Sequence, residues 1–180
     1  MDQRHLVVSC SLNENSRSRV LAQLAYEMLS GRSVAEWVDL RDYSLPVCDG
    51  AAAYEHPSVP TLRRKIGSAG SILMGIPVYN FAAASSAKNL IELTGDAWEN
   101  KVVGFLCAAG GQLSYMSVLG LANSLMLDFR CVIIPRFVYA DRSVFNETDL
   151  LDEGVRKRIG DLTDTAVRFA DALCDTREPG

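Results

Sequence analysis

The chain has 180 residues, 48% of them hydrophobic, which is enough for one domain to bury a full core without disulfide or metal staples. Eighteen basic against twenty-two acidic side chains give a net charge of −4 with no block of like charge, so neither nucleic acid nor an anionic membrane is expected as a partner. Five cysteines (Cys10, Cys48, Cys107, Cys131, Cys174) contain no C-x-x-C pair, the N-terminus has no signal-type apolar run, and no stretch approaches the roughly 20 apolar residues of a membrane span. Reduced thiols in a cytoplasmic protein are the expectation.

Residues 1–180 read as a single domain, with 175–180 a frayed tail. The first apolar run, 5–10, lacks the alternation of a half-wet strand and reads as a strand covered on both faces. Val20, Leu24 and Met28 then recur at helical spacing. The run at 34–40 alternates more and suits an edge strand. A long loop, 41–57, carries Pro46, Gly50 and Pro57 and leads to a helix with Leu62 and Ile66. The buried strand at 71–76 is expected to end at Pro77, which lacks an amide donor. Leu90, Ile91 and Leu93 mark the next helix, 102–108 the next strand, and Leu119, Ala122, Leu125 and Met126 the helix after it. A last strand at 131–138 and a loop at 140–148 precede a helix whose stripe of Val155, Ile159, Leu162, Ala166, Phe169 and Leu173 predicts packing against the sheet.

This βαβαβαβαβα order predicts a three-layer α/β domain with a parallel sheet and right-handed crossovers. For five strands the flavodoxin-like order 2-1-3-4-5, with helices on both faces, is the expected solution. Ligands of such sheets sit in the crevice at the carboxyl ends of the strands.

The loop after the first strand combines Ser11, Asn13, Ser16, Arg17 and Ser18 just before a helix. Backbone amides at a helix N-terminus, short hydroxyls and one arginine make a cradle for a phosphate. A single cap would use only one of the serine oxygens. The loop has no glycine and so is neither a Walker loop nor a dinucleotide turn. A hydrolase of the low-molecular-weight tyrosine phosphatase type would need an arginine six places after a nucleophilic Cys10; Ser16 stands there instead, and no Asp-Pro pair supplies a general acid. A buried, inert Cys10 is the expectation.

After the third strand, Pro77, Val78, Tyr79, Asn80 and Phe81 offer polar backbone and apolar cover to a flat aromatic ring, and the residues at 82–86 are small enough to let it approach. Ser85 or Ser86 is expected to cap the following helix. After the fourth strand, Ala109, Gly110, Gly111 and Gln112 present backbone with little side chain, suited to hydrogen-bonding a ring edge. Phosphate, ring face and ring edge together point to FMN.

These residues carry a resemblance to the NADPH-dependent FMN reductases, a flavodoxin-like family that includes quinone, azo-dye and chromate reductases; it extends to about Leu173. The matching residues are Ser11-Leu12, Ser16, Pro77, Tyr79-Asn80, Lys88-Asn89 and Gly110-Gly111. Cys10, Asn13, Val78, Ala84 and Ser114-Tyr115 depart from the family pattern. Asn13 stands where the pattern has an arginine, for which Arg17 is the candidate substitute, and Tyr115 is expected to cover part of the nicotinamide or acceptor site.

The resemblance implies bound FMN, NADPH or NADH as hydride donor, and a flavin, quinone or similar small-molecule acceptor. Flavin chemistry demands no acid, base or nucleophile from the protein, so no catalytic side chain is assigned, His5 and His56 included. No metal is expected. An electron carrier of the flavodoxin type and a flavin-binding protein without turnover are the alternatives. Residues 115–129 are apolar nearly all round, which calls for a partner subunit, and the resemblance implies a homodimer or higher homo-oligomer.

Overall fold

The apolar runs become the strands β1 (Arg4–Ser9), β2 (Val34–Asp39), β3 (Ser71–Tyr79) and β5 (Val102–Ala109) in the structure, a computed structural model that describes residues 3–146 and 149–174. The tail at 175–180 and the thiol of Cys174 lie outside the described part. Across the sheet the order is β2-β1-β3-β5, all parallel, and the outer edge of β5 is occupied by two short parallel strands, β6 (Val132–Ile133) and β7 (Val138–Asp141). Taken as one interrupted strand, β6 and β7 complete the flavodoxin-like order.

Side-chain alternation along the strands divides the interior into two layers. Leu6 and Val8, Ile72 and Met74, Val103 and Phe105 pack with Leu62, Ile66, Leu90, Ile91 and Leu125 from the helices α2 (Ser58–Ser68), α3 (Ser85–Thr94) and α4 (Leu119–Phe129). Val7, Leu73, Val102 and Leu106 face α1 (Arg17–Ser30) and α5 (Glu153–Cys174), whose Leu21, Ala25, Leu29, Val155, Ile159 and Ala166 are buried against them. The α5 stripe packs on the sheet as expected, with Phe169 and Leu173 only partly covered. No helix among the described residues is long and apolar enough to cross a membrane.

Several local expectations are corrected. Pro77 does not end β3, which continues to Tyr79. Its backbone points to the side of the sheet where β1 has already stopped: Cys10 N–H reaches Gly75 O at 2.9 Å, and two residues on no β1 residue remains to accept a donor. A short strand β4 (Ala82–Ala83) folds back into that gap, Ala84 N–H donating to Pro77 O at 2.9 Å, so the missing N–H costs nothing. The last strand is split because Pro135 lacks a donor and Arg136 turns into the left-handed region at φ 62°. In α3 the cap position is Ala84, and Ser86 donates instead to the Cys10 carbonyl, tying the first loop to α3.

On α1 the buried face is Ser18, Leu21, Ala22, Ala25 and Leu29, one position round from the Val20, Leu24 and Met28 stripe, which is only partly covered. Small residues are required there because α1 crosses β3 at Gly75. A Cβ on Gly75 would lie 2.7 Å from both the Cβ of Ala22 and the carbonyl oxygen of Ser18. At its far side the same helix is held by Asp39, 2% exposed at the end of β2. Asp39 accepts from Arg19 Nε at 2.6 Å and Arg41 Nη2 at 2.7 Å.

Two outcomes are expected. Gly75→Ala overpacks this contact and lowers stability by about 1–3 kcal/mol, read as a fall in the urea midpoint. Burial acts to raise the Asp39 pKa, but the hydrogen bonds from Arg41 and Arg19 outweigh it and hold the carboxyl below its ordinary value. A depressed native pKa contributes stability that is present above about pH 4 and is lost as pH falls through the native value. Urea midpoints compared at pH 5 and pH 3 should therefore drop less in Asp39→Asn than in the wild type; equal drops would deny the lock its role.

Candidate functional site

At the carboxyl edge of the sheet, β1 gives way to a loop whose side chains fold back on its own backbone. Ser11 Oγ accepts from Asn13 N–H at 3.2 Å, and Asn13 Oδ1 from Asn15 N–H at 2.9 Å. Ser16 is the N-cap of α1, its Oγ accepting from Arg19 N–H at 3.2 Å and lying 3.0 Å from Ser18 Oγ. That cap leaves the amides of Arg17 and Ser18 as first-turn donors, which a helix cannot satisfy internally. Arg19 and Arg41 are committed to Asp39, and the Arg19 guanidinium also lies 5.7 Å from the centre of the Trp37 ring. Arg17 is different: it is exposed and forms no ion pair among the described residues.

The second wall is a hairpin rather than the simple loop expected. Tyr79 pairs with Ala82 across the two-residue turn Asn80-Phe81, and both turn residues have positive φ, 49° and 60°. That is the turn whose twist suits tight hairpins. An asparagine takes it readily; for Phe81 it costs about 1 kcal/mol. The turn lifts Tyr79 and Phe81 to the rim, 56% and 67% exposed.

The third wall follows β5. A Cβ on Gly110 or Gly111 would meet no protein atom within 4 Å, so the backbone there faces open space. It leads into a 3-10 turn, Gln112–Val118. The Tyr139 hydroxyl pins this segment, donating to Gly111 O and accepting from Ser114 N–H at 3.2 Å. Gln112 hydrogen-bonds the carboxylate of Asp141, whose pKa is lowered first by the Ser143 hydroxyl and amide.

The three walls enclose one cavity of about 800 Å³. Of the residues singled out from the sequence, Ser11, Asn13, Ser16, Arg17, Ser18, Pro77, Val78, Tyr79, Asn80, Phe81, Ala109, Gly110, Gly111 and Gln112 line it. Tyr115 does not: its ring stacks on Phe137 at 6.1 Å, meets Tyr139 edge-on at 5.7 Å, and lines a neighbouring cavity. Asn15, Ala108, Leu113 and Ser114 line the cavity as well without having been singled out. Each lies within two residues of one that was, so the loop as a unit was the usable signal. Lys88 and Asn89 lie elsewhere; Asn89 clamps the 41–57 loop, accepting from Cys48 N–H and donating to Pro46 O, both at 2.8 Å.

The residues present fit a phosphate-bearing planar group. Arg17 is the sole charged side chain among the described lining residues, no carboxylate opposes it, and the volume is that of an ordinary cofactor pocket. They do not fit thiol chemistry: Cys10 is fully buried, and desolvation pushes its thiol far above the usual range. No group of three or more metal-ligating side chains occurs among the described residues.

Comparison with known proteins agrees with the fold. FerB, a flavoenzyme NAD(P)H:(acceptor) oxidoreductase from Paracoccus denitrificans, superposes with a TM-score of 0.77 at 20% identity over 94% of this chain and 98% of its own. RosB, solved with bound 8-demethyl-8-formylriboflavin-5′-phosphate, gives 0.78 at 16% identity over 97% and 81%. The NADH:FMN oxidoreductase EMOB gives 0.76 at 14% identity over 92% and 89%. At these identities the likeness establishes the fold. No curated protein sequence matches the chain. A model of the NADPH-dependent FMN reductases does match, over residues 4–144, from the first residue of β1 through β7 and the turn beyond it, and the chain belongs to that family.

Proposed function

We propose that the rim cavity holds FMN, with its phosphate on the β1–α1 loop, its ring against the 77–81 hairpin and its ring edge on Gly110 and Gly111. Family membership makes the chain an FMN-dependent NAD(P)H oxidoreductase. NADPH or NADH is the proposed donor and a flavin, quinone or similar small molecule the acceptor. The observation that carries this reading is convergence: residues from three loops far apart in sequence line one cavity whose only charge among the described lining residues is positive.

When bound, FMN supplies the redox chemistry, accepting a hydride and passing the electrons on. The protein binds and orients. Arg17 brings one positive charge to the phosphate, and the amides of Arg17 and Ser18 and the Ser16–Ser18 hydroxyl pair bring hydrogen-bond donors. The bare backbone at 110–111 lets a ring carbonyl come within hydrogen-bonding distance. Tyr79 and Phe81 shield one face of the ring from water.

Leu113, Met116, Leu119, Met126 and Leu127 are exposed on α4 and the turn before it, Leu113 at 87% and Leu127 at 77%. We assign this apolar face to a second copy of the chain, making a homodimer with its sites near the interface. The unpaired thiols of Cys10, Cys48, Cys107 and Cys131 suit a reducing, cytoplasmic setting. Burial raises the pKa of Cys107 to about 12 and that of Cys131 to about 11, so neither is a ready nucleophile.

FMN titrated into apoprotein should quench on binding, and Arg17→Gln should weaken that binding about tenfold or more without lowering thermal stability. An unchanged affinity would move the phosphate elsewhere, and a protein that neither carries nor takes up FMN would end the reading. On size exclusion the wild type should elute as a dimer and Leu127→Lys as a monomer; a monomeric wild type would remove the proposed interface.

A further inference from the structure

The outer edge of β5 changes register along its length. Where it pairs with β6, Val103 lies opposite Ile133; where it pairs with β7, Leu106 lies opposite Val138, so the four residues 134–137 pass what two residues of β5 span. The two extra residues belong to the detour through Pro135 and Arg136. They bring Tyr139, and not Phe137, level with Cys107. Alternation along β7 then puts Tyr139 and Asp141 on one face, both half-buried. Both reach the segment that follows β5: Tyr139 through its hydroxyl to Gly111 O and Ser114 N–H, Asp141 through its carboxylate to the Gln112 side chain. The Tyr139 ring is itself held, edge-on to Tyr115 at 5.7 Å.

That hydroxyl fixes one peptide plane. A trans peptide sends its C=O and N–H to opposite sides, so a Gly111 carbonyl tied to Tyr139 turns the Gln112 N–H away from Tyr139. Gln112 begins the 3-10 turn, where an amide has no partner within the turn, and its N–H takes no other among the described residues. Gly110, Gly111 and Gln112 all line the rim cavity, and Tyr139 is not among its lining residues. The two glycines set no limit on the plane themselves, since a Cβ on either would meet nothing.

We infer that Tyr139 is a positioning residue of the rim site: by holding the Gly111 carbonyl on its own side, it aims the Gln112 amide at the cavity as a hydrogen-bond donor for a carbonyl oxygen at the ring edge. The inference rests on the proposed FMN site. The edge carbonyls of a flavin carry more negative charge once the ring is reduced, so a fixed donor there binds the reduced form more tightly than the oxidised one and raises the potential. Tyr139 thereby tunes the bound cofactor without touching it.

The test compares wild type with Tyr139→Phe and Gln112→Pro, reading FMN affinity by fluorescence quenching and the two-electron midpoint potential of the bound flavin. Tyr139→Phe keeps the ring and removes the hydroxyl. Gln112→Pro removes the amide donor itself at the start of a helical turn, where proline is tolerated, after a Gly111 that is already extended at φ −157° and ψ −177°. Relative to wild type, each variant should favour oxidised over reduced FMN by about a further tenfold, which for a two-electron couple is a potential about 30 mV lower. Because Tyr139 acts through that amide, the double variant should be no worse than either single one. Folding is checked by thermal midpoint, and the potential of either variant alone suffices. A wild-type potential in either variant, a Tyr139→Phe that binds FMN more weakly at unchanged potential, or additive losses in the double variant would each overturn the assignment. A wild type that takes up no FMN would sink the flavin reading and this inference together, whereas a flavin-loaded wild type whose variants match it would sink this inference alone.

Discussion

The seat of α1 over Gly75 is the contact on which the site depends. With no Cβ at that point, the first turn of α1 comes down onto β3, and the loop before it is drawn over the end of β1. Asp39, buried between Arg19 and Arg41, holds the same turn from the β2 side. The Ser86 hydroxyl on the Cys10 carbonyl ties the loop to α3 across the sheet. Helix seat, ion lock and cross-tie all come before any ligand. They leave two first-turn amides and Arg17 at one place.

The strands end at different heights, and that stagger makes the cavity. β1 stops at Ser9 while β3 runs on to Tyr79 and β5 to Ala109. The longer strands build the walls and the shorter one leaves the floor open for an anion. Because hydride chemistry belongs to the cofactor, the protein's task is placement, and an enzyme of this kind can do without a catalytic side chain. His5 is buried within β1 with its Nδ1 2.8 Å from Ser71 Oγ, and His56 accepts from Ser58 N–H in a loop.

Much of this was legible because parallel strands covered on both faces must be apolar throughout, and such runs stand out between helical stretches. The misreadings share one cause. Pro77 is a strand breaker only where a neighbour needs its N–H, and β1 had ended. The buried face of α1 is the small one, since only small residues fit above Gly75. Tyr115 turns away from the rim cavity because Phe137 and Tyr139, more than twenty residues further on, offer it a ring to stack on. Each outcome was decided by a partner remote in sequence.

The amino-acid order by itself determined the alternation of strands and helices, the sheet order, and which loops carry the polar and small residues of the site, because hydrophobic period and turn chemistry are local properties. Only the tertiary structure decided which arginines remain free. Arg17, Arg19 and Arg41 look alike along the chain, yet Asp39 takes two of them and leaves the third to the cavity. Likewise only the folded edge brings the Tyr139 hydroxyl to Gly111 and Ser114, since charge pairing and hydrogen bonding act through space between residues that the sequence keeps apart.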